Sequence, residues 1–464
     1  MIEDLNPFGN TNPESLVDVN GRVFFIGDID NGEELYVSDG TAAGTSFTRD
    51  LYPIQTDAFI RDMTAVGDTC FFVAHSSPNY QNFELHMSNG TGFGTKMVKD
   101  IIPGATASNP SDLIEFKGQL YFTVDDDIHG SELWISDGSS TGTKLFKDLN
   151  EGTLGSSITA IVSYKNGVAF SANDPASGQE LWTSRGSEAS TVLVDDLVSG
   201  TGSTIPENLT SGGGDVYFTV FPGRTTGELY RSDGTAAGTN YIRMTSFSDY
   251  ASQLTFVNGI LFFARRSSFN NELWAYTPSG SARLVRKIQP NGLGADVRHL
   301  TGMNGNLYFT ADDGNDSGVE LWTSDGSYAG TRRIKDIYSG YKDSNPSALT
   351  ASDTKLYFTA DDGSNGRELW VTDGTEANTI MLKVNPNSST APSWLTAGDN
   401  GGLFFFADDG TSGTELWHTD GTVLGTKMVK DMIVGSSGTT PSQMVFANGK
   451  LYYAIDDPSS NAGS

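Results

Sequence analysis

Cysteine is almost missing from this chain. Its one thiol, Cys70, cannot form an intramolecular disulfide. Set in the apolar stretch DTCFFVA, it reads as a small buried hydrophobe and not as a nucleophile. Long apolar runs are missing as well: no stretch of about 18 apolar residues occurs, which excludes a membrane-spanning helix. Basic residues are scarce. Against 57 Asp and Glu stand 29 Lys and Arg, a net charge of −28, so recognition of nucleic acid by a basic surface is excluded. Such an acidic surface serves solubility and attracts cations. The opening residues MIEDLNPFGN lack a basic n-region and an apolar h-region, so any export signal is expected outside this chain. No segment holds a helical period, which excludes solenoids of paired helices.

What the chain does contain is glycine, aromatics and repetition. Its 54 glycines and 11% aromatic residues suit many short strands joined by tight turns. Aligning on Glu-Leu-aromatic places glutamates at Glu34, Glu84, Glu132, Glu180, Glu228, Glu272, Glu320, Glu368 and Glu415, spaced 44 to 50 residues apart. Six of the seven tryptophans fall at the aromatic position: Trp134, Trp182, Trp274, Trp322, Trp370 and Trp417. One unit, from Pro110 to Leu149, shows the order. SDLIEF, QLYFTV, SELWIS and TKLFKDL alternate as strands a, b, c and d, with Leu120, Phe122 and Val124 on one face of strand b. The turns between them are Lys117-Gly118, DDDIHG and DGSSTG, rich in residues that accept a positive φ or bond their own backbone.

Four antiparallel strands per unit of about 48 residues is the signature of a propeller blade. The expected fold is therefore all-β: a large β-propeller of nine to ten four-stranded blades forming a single repeat domain over 1–464. An open or helical stack of blades is the alternative. Residues 1–8 match a strand d and its link, and 441–464 match strands a and b of a partial tenth unit. The chain is accordingly expected to be a fragment of a longer one.

The pattern ELW-x-[ST]-DG-[TS]-x-x-GT, followed by Lys-Asp-[Ile/Leu], resembles the ELWxxDGT-repeat proteins. It is carried by ELYVSDGTAAGT, ELWISDGSSTGT, ELYRSDGTAAGT, ELWTSDGSYAGT and ELWHTDGTVLGT and spans essentially the whole chain. The resemblance implies a large exported bacterial protein, and hence an extracellular or cell-surface location. Some units depart from it: Arg185 and Asn89 replace the turn aspartate, ELWAYTPSGSARL loses the Asp-Gly turn, and the fifth unit lacks the Lys-Asp of strand d. The turn also resembles the Asp-box of sialidase-type and sortilin-type propellers, which implies that Asp39, Asp137, Asp233, Asp325, Asp373 and Asp420 staple the c–d hairpin.

The b–c turns carry the most suggestive chemistry. Asp125, Asp126 and Asp127, then Asp312 and Asp313, Asp361 and Asp362, and Asp408 and Asp409 cluster carboxylates beside glycine, as a hard oxygen-seeking cation such as Ca²⁺ requires. No spaced EF-hand-like loop occurs. Units two, five and six have His75-Ser76, Phe221-Pro222 and Arg265-Arg266 there instead. The five histidines show no metal-ligand spacing, and no nucleophile elbow, zincin motif or P-loop is present. No catalytic residue is assigned, and the chain is expected not to be an enzyme. The expected role is a non-enzymatic structural, adhesive or protein-interaction module at a cell surface, with protein or glycan partners and self-assembly through exposed edge strands d. A multivalent lectin-like binder is the first alternative, and would require exposed tryptophans. A glycosidase-type enzyme is the second.

Overall fold

The computed structural model describes residues 11–456 except 30–31, 52–56, 76–81, 105–106, 222–226, 245–249, 267–270, 291–293, 315–317, 386–387 and 437. The expected strand d in residues 1–8 lies outside the described residues. The described chain is all-β, with nine four-stranded antiparallel sheets and one two-stranded sheet. No described helix is long and apolar enough to cross a membrane.

Blade 3 shows how the sequence makes each sheet. Strands a (Ser111–Phe116), b (Gln119–Asp125), c (Ser131–Ser136) and d (Lys144–Lys147) pair in that spatial order. Strand b is buried on both faces, because each face meets a different neighbour. Leu120, Phe122 and Val124 pack with Phe71, Leu85 and Val98 of blade 2. Tyr121, on the opposite face, packs with Val168, Phe170 and Trp182 of blade 4. Each such buried side chain contributes about 1.5–3 kcal/mol. Single blades could not hold this area out of water, so stacking and folding are one event.

The chain divides into two compact units, 1–206 with 441–464, and 207–440. In the first, blades 1 to 4 are joined by the terminal hairpin Thr440–Ala447 and Lys450–Asp456. That hairpin seats on blade 1 through Val23, Ala447 and Tyr452. There Leu16 N donates to Gln443 Oε1 at 2.7 Å, and Lys450 Nζ donates to Asp39 O at 2.6 Å. Lys355 makes the same 2.6 Å contact from blade 8 to Asp420 O of blade 9, so the hairpin takes the place of a preceding blade. The second unit contains blades 5 to 9. In each unit successive a strands lie against one another, so the blades fan outward from them.

Candidate functional site

Three repeated polar layers sit on this frame, and the c–d turn is the first. Asp39, Asp137, Asp233, Asp325, Asp373 and Asp420 each accept, through Oδ1, the amide of the residue two positions on at 2.8–3.0 Å. Hydroxyl bonds from Thr41, Ser139, Ser327 and Thr422 hold the Asp39, Asp137, Asp325 and Asp420 carboxyls below their usual range. Two further residues close the turn and were not singled out in the sequence. Ser136 Oγ meets Thr143 Oγ1 at 2.7 Å, and the same hydroxyl pair recurs in eight blades, for example Ser38–Thr45 and Ser324–Thr331. Its signal was legible as the Ser or Thr before Asp-Gly and the Thr seven residues later.

The turn glycine also faces the neighbouring blade. Gly374 has φ +95°, and a Cβ there would lie 2.4 Å from Tyr308 Oη of blade 7. From strand d, Lys99, Lys147 and Lys335 donate to Thr143, Thr191 and Thr379 carbonyls of the following blade at 2.8, 2.6 and 2.9 Å. The Asp-Gly-Thr element is therefore an interblade joint as well as a hairpin turn.

The b–c aspartates form the second layer. Asp125, Asp312, Asp361 and Asp408 accept the amide two residues on, at 2.7–3.2 Å. Asp362 accepts from the Ser364 and Asn365 amides, and Asp409 from those of Thr411 and Ser412. Asp126 accepts from the Ile128 and His129 amides and pairs with His129 Nδ1 at 2.6 Å. The Asp126 bond holds the His129 imidazole more basic than usual. Asp127 takes a left-handed φ of 63° at the turn, and Asp313 faces Arg333 at 3.8 Å. Apart from Asp127 and Asp313, these carboxylates accept amides of their own turns. Among the described residues no group of three His, Cys, Asp or Glu side chains converges on a metal position.

The third layer is the glutamate of Glu-Leu-Trp. Glu84, Glu132, Glu180, Glu320, Glu368 and Glu415 are 0% exposed. Glu84, Glu132 and Glu320 accept the hydroxyls of Ser108, Ser156 and Ser344 at 2.7 Å, and Glu180 that of Thr204 at 2.6 Å. Amides at the end of strand d complete the staple, Ile337 N donating to Glu320 Oε2 at 3.2 Å. Burial pushes the Glu34 carboxyl up to about 8 and those of Glu84, Glu132, Glu180, Glu320 and Glu368 up to about 7. The adjoining tryptophans are buried too, Trp134, Trp182, Trp274, Trp322 and Trp370 being 4–7% exposed. A sugar-stacking role for them is overturned, since they fill the interblade core. Cys70 is buried, its thiol pushed up to about 12.

The inner strands carry one more regularity that the sequence did not show. One residue near the start of strand a is left-handed in each of the nine four-stranded sheets: Ser15, Asp62, Asp112 and Ala160 in the first unit, and Asn208, Gln253, His299, Ala348 and Trp394 in the second, with φ of 52–55°. At each, the a–b pairing slips by a bulge.

No family model matches the chain, and no curated protein sequence matches it. Solved structures do. A puromycin-hydrolysing peptidase of Mycobacterium tuberculosis is 10% identical over 75% of this chain and 58% of its own, with a TM-score of 0.35. Prolyl endopeptidase is 12% identical over 86% of this chain and 54% of its own, TM-score 0.40. The β-propeller domain of the Trilobed protease of Pyrococcus furiosus is 14% identical over 70% of this chain and 95% of its own, TM-score 0.34. The chain spans little more than half the length of the first two. A non-enzymatic surface, adhesive or protein-interaction module, with its lectin-like and glycosidase alternatives, was expected, and the comparisons correct this: the structures found are peptidases or a peptidase's propeller domain. What the chain shares with them is the all-β, β-propeller type of fold.

Proposed function

We propose that this chain is the polypeptide-handling part of a peptide-hydrolysing enzyme, in which it receives an extended chain and does not itself cut it. The observation that carries this reading is the left-handed row on the a strands. A non-glycine residue in that region costs on the order of 1 kcal/mol, and repetition of such strain points to use. The bulge interrupts pairing with strand b, while among the described residues the other edge of strand a pairs with no strand. Within the second unit, Asn208, Gln253, His299 and Trp394 are exposed at this row. They offer acceptors, donors and one aromatic face at blade spacing, a surface suited to a polypeptide without fixed structure.

The test is fluorescence anisotropy of a labelled, reduced and carboxymethylated polypeptide titrated with the chain, with the same protein in its folded form as competitor. The unfolded form should bind, the folded form should fail to compete, and Trp394→Ala with His299→Ala should weaken binding several-fold. Equal competition by the folded form, or peptide hydrolysis by this chain alone, defeats the reading.

A further inference from the structure

The buried glutamates do not sit alone. In the first unit Glu34, Glu84, Glu132 and Glu180 each lie beside the aspartate that follows strand d: Asp50, Asp100, Asp148 and Asp196. In the second, Glu320 and Glu415 lie beside Asp336 and Asp431. The chain geometry fixes the pairing, because the amide after the aspartate donates to the glutamate. Leu51 N reaches Glu34 Oε2 at 3.2 Å, Ile101 N reaches Glu84 at 3.2 Å, and Met432 N reaches Glu415 at 3.0 Å. The like charge of the aspartate adds to the burial that raises each glutamate.

The aspartate keeps an oxygen unused in all six pairs, and the glutamate does so in three. Oδ1 of all six aspartates is buried and accepts no hydrogen bond from the chain, and the same holds for Oε1 of Glu34, Glu180 and Glu415. Those three glutamates are 0–1% exposed. Two carboxylates brought together away from water, with an oxygen unused, leave an unmet electrostatic demand that a proton or a cation must answer.

In the three remaining blades a donor or cation of the chain stands near the glutamate, although Glu368 Oε1 also accepts no hydrogen bond from the chain. Aligned on the c–d pairing, the aspartate position holds Met244 in blade 5, Lys287 in blade 6 and Val384 in blade 8. In blade 5, Tyr230 Oη donates to Glu228 Oε2 at 3.1 Å. In blade 6, Arg265 is the cross-strand partner of Glu272 and lies in its field. In blade 8, Lys383 turns inward to Asn365 Oδ1 and sits in the field of Glu368 and Asp362. Its equivalents Lys99, Lys147 and Lys335 instead reach outward to the next blade. Where the aspartate is lost, a donor or cation of the chain comes in.

We propose that each of the six Glu–Asp pairs binds a hard divalent cation, with calcium as the ion whose ligand preference fits. Each site supplies two carboxylates, four of the six also have the hydroxyl of Ser108, Ser156, Thr204 or Ser344 beside the glutamate, and water completes a shell of six to eight oxygens. No third carboxylate converges among the described residues, so affinity is modest, roughly 10⁻⁴–10⁻³ M, as for extracellular modules of low ligand charge. The cation belongs between strands c and d, not in the b–c turns whose aspartates cap their own amides.

Isothermal titration calorimetry of the metal-free chain with CaCl₂ tests this, with Tb³⁺ luminescence excited through the strand c tryptophans as a second readout. Six equivalents of Ca²⁺ should bind and displace Tb³⁺. Asp148→Asn with Asp336→Asn should lower the number to four, and Asp127→Asn with Asp361→Asn should leave it at six. The proposal is overturned by full stoichiometry in the first double variant, or by loss in the second. It is equally overturned if the wild-type chain gives neither heat nor Tb³⁺ luminescence at millimolar metal. The pair would then hold a shared proton. Because the wild-type readouts do not depend on any variant folding, a failed variant cannot rescue the idea.

Discussion

Blade 7 and blade 6 share a backbone but not a polar scheme. Both form four strands, and both close strand d on strand c through the same amide: Ile334 N to Leu321 O at 2.9 Å in blade 7, and Val285 N to Leu273 O at 3.1 Å in blade 6. Blade 7 has the full turn, with Asp325 holding Ser327 and Ser324 meeting Thr331. Blade 6 has Tyr276, Thr277 and a simple Gly280-to-Thr277 backbone bond. Blade 7 buries Glu320 completely, whereas Glu272 is half-buried with Arg265 over Trp274 at 4.5 Å. The difference teaches that alternating apolar strands b and c build a blade, while the Asp-Gly-Thr turn and the glutamate staple tune it.

That division can be pressed hardest through pH. A carboxyl raised in the folded state holds its proton there more tightly than in the unfolded chain. Its contribution is therefore complete below the ordinary glutamate range and lost as pH rises through the folded value. With Glu34 at about 8 and Glu84, Glu132, Glu180, Glu320 and Glu368 at about 7, stability in chelator should fall as pH rises between 5 and 8, each carboxyl adding to the slope. Urea unfolding across that range measures it, and Glu132→Gln should flatten the slope. A flat profile would mean that the staples are ionised without cost.

The second contrast is by substitution. Glu320→Ala strands the Ser344 hydroxyl and the Ile337 amide and should cost about 2 kcal/mol, as unsatisfied buried donors do. Glu272→Ala should cost clearly less. Equal losses in denaturation experiments would erase the distinction between the two blades. The smallest effect belongs to the turn: Asp325→Ala should cost about 1 kcal/mol or less, in line with other capping side chains, while Thr277→Ala should be close to neutral. Hydrogen exchange of the Ser327 and Gly330 amides would report the local loss directly.

How far each feature was legible follows from how local it is. The b-strand alternation of Leu120, Phe122 and Val124, the c–d turn aspartates and the repeat itself depend on neighbours within one unit, so pattern alone revealed them. The glutamate staple did not, because Glu132 finds Ser156 across a strand, a turn and a link, 24 residues on. The left-handed bulge on strand a has no residue signature at all. Ser15, Ala160, His299 and Trp394 share only a backbone position, imposed by the a–b pairing and the close packing of successive a strands.

The sequence by itself therefore determined that the chain is all-β, built of about nine four-stranded units, because strand period and turn chemistry are properties of short segments. Only the tertiary structure decided what the polar residues do. Most of the b–c aspartates accept amides of their own turns. Six of the glutamates are buried beside a second carboxyl that keeps an unpaired oxygen. Which oxygen remains unpaired depends on where other strands come to lie, and that is settled only when the blades close on one another.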